Sequence, residues 1–291
     1  MDLSSLGSES VLISLSFSLI FLLGTVGNAL VLAVLIRGGQ LNSKTTNLFI
    51  LNLGVTDLSF LVFCVPFQAS IYTLDRWMFG AALCKCFFLN QHHKLQQHLP
   101  FSPEHLDHVI LYPFRYLAIC YPLCSRGMRT PKNAVASIYL VWALALVFSA
   151  PYLSYFSQMN LSKPRFIMDL CTFIFGYLVP VLVLGLTYTR TIRYLWTSVD
   201  PVKDMSESRR AKRKVTKLII IVAALFCLCG LPHHLVILCM WFGHFPLNHT
   251  TYVLRILSHL VAYASSCLNP IVYALVSKHF RKGFRKVYYP F

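Results

Sequence analysis

Long apolar runs, separated by short polar or basic stretches, dominate the chain. They cover about Val11 to Ile36, Thr46 to Leu74, Asn133 to Leu153, Phe166 to Trp196, Val215 to Phe242 and Tyr252 to Val276. Each is long enough to cross a bilayer as a helix, which takes ~20 residues. The last run is not uniformly apolar. Arg255, His259, Ala262, Ser266, Asn269 and Tyr273 follow one another at alternating steps of four and three, which aligns them on one helical face. Polar groups in lipid are expensive, so this face is expected to look into a protein bundle or a wet cavity. Near its end, Asn269-Pro270-Ile271-Val272-Tyr273 places a proline inside the span, removing a backbone donor and loosening the helix. Residues 278–287 carry Phe280, Arg281, Lys282, Phe284, Arg285 and Lys286, the pattern of an amphipathic helix lying on anionic membrane lipid.

The other runs hold their own polar landmarks. The first contains Gly27-Asn28, a close-approach residue beside one that hydrogen-bonds across helices. The second carries Asn52 and Asp57 at mid-depth with Pro66 beyond. A carboxylate there reads as an ion site or a member of a polar relay, against the plainer alternative of a buried, protonated, hydrogen-bonded acid. Pro180 interrupts the run from Phe166, and Pro232-His233-His234 the run from Val215. Paired histidines in a span either pack and hydrogen-bond across helices or meet a ligand.

Between 85 and 114 the pattern breaks. No twenty-residue apolar window lies between Cys84 and Arg115, and Pro100 and Pro103 would interrupt a helix there. If this stretch does not cross, every later loop changes sides, and charge decides against that. The formal net charge is +16, and Arg37, Lys44, Arg126, Arg129, Lys132 and the Arg209 to Lys217 cluster fall in alternate loops or at their edges. The opposite loops hold only Arg76, Lys163 and Arg165. This asymmetry marks a cytoplasmic side and argues against nucleic acid as the partner of the basic residues. Asn160-Leu161-Ser162 and Asn248-His249-Thr250, glycosylation acceptor patterns, both fall on the predicted outer side. Asp2 and Glu9, with no Lys or Arg among the first ten residues, argue against a cleavable signal and for an outside N-terminus. With 56% hydrophobic and 12% charged residues, the expectation is an all-α membrane protein. One domain, 1–291, forms a seven-transmembrane helix bundle, with 85–114 an anomalous segment in place of the third span and 278–287 a surface helix.

Gly27-Asn28, Leu53 with Asp57, Arg115-Tyr116, Trp142, Pro180, Pro232 and Asn269-Pro270-Ile271-Val272-Tyr273 together resemble the rhodopsin-like G-protein-coupled receptors. Within them the chain is similar to the galanin receptor family, nearest its type 2 branch. That likeness is carried by Thr25 to Gln40, Thr46 to Leu74, Met168 to Pro201 and Arg209 to Phe284. The resemblance implies a plasma-membrane receptor that takes a galanin-like neuropeptide from outside and activates a heterotrimeric G protein within. It implies ligand contacts at His233, His234, Phe245 and Tyr252. It further implies a switch and ion relay of Asn28, Asp57, Arg115, Pro232, Asn269, Pro270 and Tyr273, with a sodium ion near Asp57 and no other cofactor.

Some positions depart from that pattern. Phe114 stands where the family has the aspartate before its switch arginine, and Cys229-Gly230-Leu231-Pro232 replaces its Cys-Trp-x-Pro. Cys84 resembles the cysteine that the family ties to its second outer loop, yet the loop Ser154 to Arg165 has no cysteine, and Cys171 lies inside the fifth run. These departures leave a second reading open, a non-signalling membrane protein derived from such a receptor, or a faulty gene model. The cluster His92, His93, His98, His105 and His108 lacks the His-Glu-x-x-His arrangement of a metal helix. No nucleophile elbow or phosphate-binding glycine loop is present, so no enzyme is expected.

Overall fold

Inside a bilayer no water is at hand for backbone N–H and C=O groups, so an apolar run satisfies them internally as a helix. A computed structural model of the chain describes residues 3–38, 45–73, 127, 130–155, 162–197, 207–243, 246, 248–276, 280–281 and 283–285. Its long elements are α1 (Leu3–Arg37), α2 (Thr45–Phe63), α3 (Val65–Thr73), α4 (Pro131–Tyr155), α5 (Ser162–Cys171), a π-helical stretch (Thr172–Leu178), α6 (Val179–Thr197), α7 (Glu207–Phe242) and α8 (His249–Val276). Among the described residues, Glu9–Arg37, Asn47–Ser70, Asp169–Arg193, Ile220–Phe242 and His249–Leu275 are long and apolar enough to cross a membrane, and α4 adds the shorter apolar stretch Pro131–Val147. The anomalous 85–114, Arg115, Phe245 and Asn160 lie outside the described residues. Within 278–287, residues 280–281 and 283–285 are helical.

The helices outrun the apolar windows. α1 begins at Leu3 rather than Val11, and α7 at Glu207 rather than Val215. Arg and Lys are good helix formers, so the basic turns ahead of Val215 continue the helix beyond the lipid-soluble core. Prolines divide the runs elsewhere. The second run turns at Cys64, between α2 and α3, because Pro66 has no N–H to give to the preceding turn. Gln68 N–H takes up Cys64 O at 2.9 Å and the chain resumes as α3. The fifth run widens into π-helix just before Pro180, with Val179 N–H reaching back to Ile174 O.

Neighbouring helices pack with consistent directions. α1 starts beside the start of α8, where Glu9 meets His249, and descends alongside it to the level of Val31 and Val272. We call this starting end the rim and the opposite end the base. α2 and α3 ascend, from Leu53 beside Leu35 to Tyr72 beside Phe17. α4 ascends parallel to α2, with Ala134 against Phe49 and Trp142 against Asn52. α5, the π stretch and α6 descend against the ascending α7, from Phe166 beside Trp241 to Leu184 beside Ala223 and Phe226. α4 and α2 therefore start at the same end, the direction that seven crossings require.

Two glycines set how close these helices come. A Cβ on Gly24 would lie 2.6 Å from a Leu61 methyl and 2.8 Å from Cys267 Sγ; one on Gly27 would lie 3.0 Å from Pro270 Cβ. A larger residue at either position would make these neighbours shift, so the glycines let α1 seat closely against α2 and α8. At the base, Arg281 donates to the Ala274 and Leu275 carbonyls, closing the C-terminal turn of α8. Phe280 packs on Tyr273 with ring centroids 6.3 Å apart, anchoring the short basic stretch beneath the bundle.

Candidate functional site

The polar face of α8 turns inward along its length. Arg255, His259, Ser266, Asn269 and Tyr273 are buried and Ala262 is partly so, as their alternating spacing requires, and Ser258 is buried next to His259. Two sites are built on this face, one near the rim and one at mid-depth.

The rim site is a connected run of aromatic and imidazole rings. Tyr252 meets Tyr72 edge-on at 6.2 Å, and the Tyr72 hydroxyl lies 3.2 Å from His259 Nδ1. His259 Nδ1 is also 2.9 Å from Arg255 O, one turn back along α8. The His259 ring approaches His233 of α7 at 4.6 Å, His233 adjoins His234 at 5.5 Å, and His234 lies 4.6 Å from Tyr177 in the π stretch. Pro232 sits inside α7 directly before the pair, where it gives no N–H to the preceding turn. α3, α8, α7 and the π stretch are thus joined by one ring-to-ring path, with His233 and His234 both buried in it. Above it, Trp241 Nε1–H donates to Asp169 Oδ2 at 2.8 Å and Phe166 packs edge-on against Trp241 and Phe242, pinning α5 to α7. Such paths suit a ligand with aromatic and hydrogen-bonding groups, since each ring has an apolar body and the imidazoles and phenols a polar edge.

The mid-depth site surrounds Asp57, which is fully buried. Asn269 Nδ2 donates to Asp57 Oδ2 at 2.9 Å, linking α8 to α2. Asn28 Nδ2 donates to Ser266 O at 2.9 Å and Gly24 O at 3.0 Å, linking α1 to α8. The close approach at Gly24 and Gly27 is what brings Asn28 within reach. Trp142 Nε1–H donates to Asn52 Oδ1 at 3.0 Å, tying α4 in. Among the described residues, Asp57 Oδ1, Asn28 Oδ1 and Ser266 Oγ are buried oxygens with no partner in full hydrogen-bond geometry, Ser266 lying beside the Asp57 carboxyl. Oxygens of this kind are the donor set that a hard cation takes. Pro270 packs against α1 at Gly27, and Tyr273 lies in the basal cluster with Val31, Leu53 and Val222.

Of the residues singled out in the sequence, His233, His234 and Tyr252 come together at the rim. Asn28, Asp57 and Asn269 meet at mid-depth, with Pro270 and Tyr273 below. Asn248 is exposed at the rim, where its Oδ1 accepts from Thr251 N–H at 2.9 Å and caps α8. Tyr72, Asp169 and Tyr177 were not anticipated. Asp169 carried a signal, a carboxylate at the edge of an apolar run, of the sort that picked out Asp57. Tyr72 and Tyr177 carried none, because aromatic residues are common on every face of a span.

This geometry can be set against known proteins. The family 7 transmembrane receptor (rhodopsin family) matches residues 27–92 and 115–273, leaving 93–114 outside the match. The chain is 70% identical to galanin receptor 2a of Danio rerio over 295 aligned positions, covering 96% of this chain and 78% of that protein. It is 63% identical to galanin receptor type 2 of Rattus norvegicus, over 96% of this chain and 76% of that protein. The chain belongs to the rhodopsin family of seven-transmembrane receptors, among the galanin receptors. Type 2 of Homo sapiens is 62% identical over 96% of this chain, and human type 3 is 47% identical over 99%. The chain is a multi-pass membrane receptor.

Proposed function

We propose that this chain is a galanin-type neuropeptide receptor of the plasma membrane that activates heterotrimeric G proteins when the peptide binds. What carries the reading is the ring path at the rim, running from Tyr252 through His259 and His233 to His234, on a chain with 62–70% identity to galanin receptors of type 2. The peptide enters at the rim, which faces outward together with the N-terminus and the exposed acceptor Asn248, while the C-terminus is cytoplasmic. His233, His234, Phe245 and Tyr252 contact the peptide; Asn160 and Asn248 carry glycans. Peptide binding favours the arrangement in which the basic start of α7 swings away from the bundle and opens a groove for the G protein, with Arg115 as a switch residue. The basic stretch 278–287 rests on anionic lipid.

Asp57 Oδ1, Asn28 Oδ1 and Ser266 Oγ would hold a sodium ion, whose charge would offset that of the Asp57 carboxylate. Such an ion stabilises the folded receptor by linkage. The receptor is expected to melt at higher temperature in sodium chloride than in an equal concentration of the chloride salt of a bulky organic cation. Asp57→Asn is expected to remove the difference; an unchanged difference would place the ion elsewhere.

The main test is binding of labelled galanin to intact cells expressing the chain with an N-terminal tag. Saturable, competable binding with the tag stained from outside is expected. Surface tag without binding overturns the galanin assignment, and a tag stained only after permeabilisation overturns the outside N-terminus.

A further inference from the structure

The π stretch and α7 make a contact that neither site uses. Tyr177 reaches across from the π stretch, and its hydroxyl donates to Cys227 O at 2.7 Å. The ring is buried, although only 22% of its span is buried among the described residues. It can lie there because the facing residue on α7 is Gly230. A Cβ at that position would come within 3.1 Å of Tyr177 Cε2 and 3.3 Å of Cδ2, so a side chain there would make the ring give by a few tenths of an ångström. The π-helical turn supplies the other half of the fit. By adding a residue to the turn ahead of Pro180, it rotates Tyr177 to face α7.

The position of the contact gives it a consequence. Cys227 and Gly230 lie on the basal side of Pro232, and His233 and His234 on the rim side. Pro232 gives no N–H to the preceding turn, so the helix is weakest between these two groups. A carbonyl has two lone pairs and can accept from outside its own helix. The Tyr177 bond therefore holds the basal part of α7 to the π stretch just below Pro232. The same ring touches His234 above Pro232, at 4.6 Å between centroids, and roots in a cluster with Leu184, Ala223 and Phe226.

We propose that Tyr177 is a positioning residue that latches α7 across its proline, through the Cys227 carbonyl on one side and the His234 ring on the other. While the latch is made, the basal part of α7 stays against the π stretch and α6. A displacement of His234 shifts the Tyr177 ring, breaks the bond to Cys227 and frees that part to move. Only this last link rests on His234 as a peptide contact; the latch itself does not.

The test uses the full chain, purified in detergent, as wild type, Tyr177→Phe and Gly230→Ala. Tyr177→Phe keeps the ring and removes the donor; Gly230→Ala keeps the donor and crowds the ring in its seat. Hydrogen–deuterium exchange is followed at the α7 amides from Leu228 to Val236 and, for comparison, along α1 and the Ser266 turn of α8. Losing one buried hydrogen bond is expected to speed exchange around Pro232 roughly fivefold in each variant, with the comparison segments unchanged. Peptide-independent nucleotide exchange on a G protein is expected to rise by a similar factor. Unchanged exchange around Pro232 in both variants overturns the latch, as does an equal rise in all segments, which would mean general loosening. Amide exchange needs neither peptide nor G protein. A wild type that fails to bind galanin would sink the receptor reading and leave the latch decided on its own result.

Discussion

The α1–α2–α8 side and the α5–α6–α7 side are both built from apolar helices, yet they are held together by different means. On the first, glycines bring the backbones close and side-chain amides cross between helices, from Asn28 to Ser266 and from Asn269 to Asp57. On the second, rings cross between helices as they also do on the first at Phe17–Tyr263 and Phe60–Tyr263, but the polar links are the bonds from Trp241 to Asp169 and from Tyr177 to Cys227, which stand on either side of Pro232. Close-packed glycine faces and buried amides have few alternative arrangements that keep their partners. Rings can slide over one another at small cost while staying buried. Taken with the proposed latch, the comparison casts the first side as the frame and the second as the part expected to move against it. α8 belongs to the frame but reaches the moving part through His259 and His233.

The largest way to break this division is Gly24→Leu. The new side chain has nowhere to go between Leu61 and Cys267, and overpacking of this kind costs ~1–3 kcal/mol or more. A loss of surface tag and a melting temperature several degrees lower are expected; a wild-type melting curve would show that the frame is looser than its glycines imply. Next comes Asn269→Ala, which leaves the Asp57 carboxyl buried without its donor, at ~1.5–3 kcal/mol. Denaturation monitored by tryptophan fluorescence should show it, and a loss below half a kcal/mol would argue that Asn269 does not tie α8 to α2.

On the moving side, Trp241→Phe removes the donor to Asp169 while keeping most of the ring packing. About 1 kcal/mol or somewhat more is expected, felt in exchange of the rim-end amides of α7 with the mid-depth site undisturbed. If α1 loosens as well, the two sides are coupled more tightly than drawn here. The smallest effect belongs to His249→Gln. The Glu9–His249 contact is exposed on both partners, and pairs of that kind contribute ~0–1 kcal/mol. Stability and surface staining are expected to match the wild type; a clear loss would mean that the rim clasp between α1 and α8 matters more than its exposure suggests.

Much of this was legible in the residue order. Lipid demands helices, so run length alone marked the spans, and alternating steps of four and three marked the inward face of α8 before any partner was known. Asp57 and Asn28 announced themselves because a polar group at mid-span needs a reason. Partner choice was hidden. α1 and α2 are apolar nearly all round, and lipid and protein interior select the same side chains, so periodicity does not say which face meets which helix. That Asn28 meets Ser266, that Trp142 meets Asn52 and that Trp241 meets Asp169 depends on residues dozens to hundreds of positions apart. The turn into π-helix before Pro180 and the seat of Tyr177 over Gly230 were likewise decided by packing. A proline says that a helix must adjust, and only the neighbouring helix decides how. The sequence by itself determined the helices, their likeness to a receptor family and the inward stripe of α8, because each follows from a local physical demand. The tertiary structure alone decided which stripes meet and where the bundle can bend, because those depend on distances between segments that no local pattern encodes.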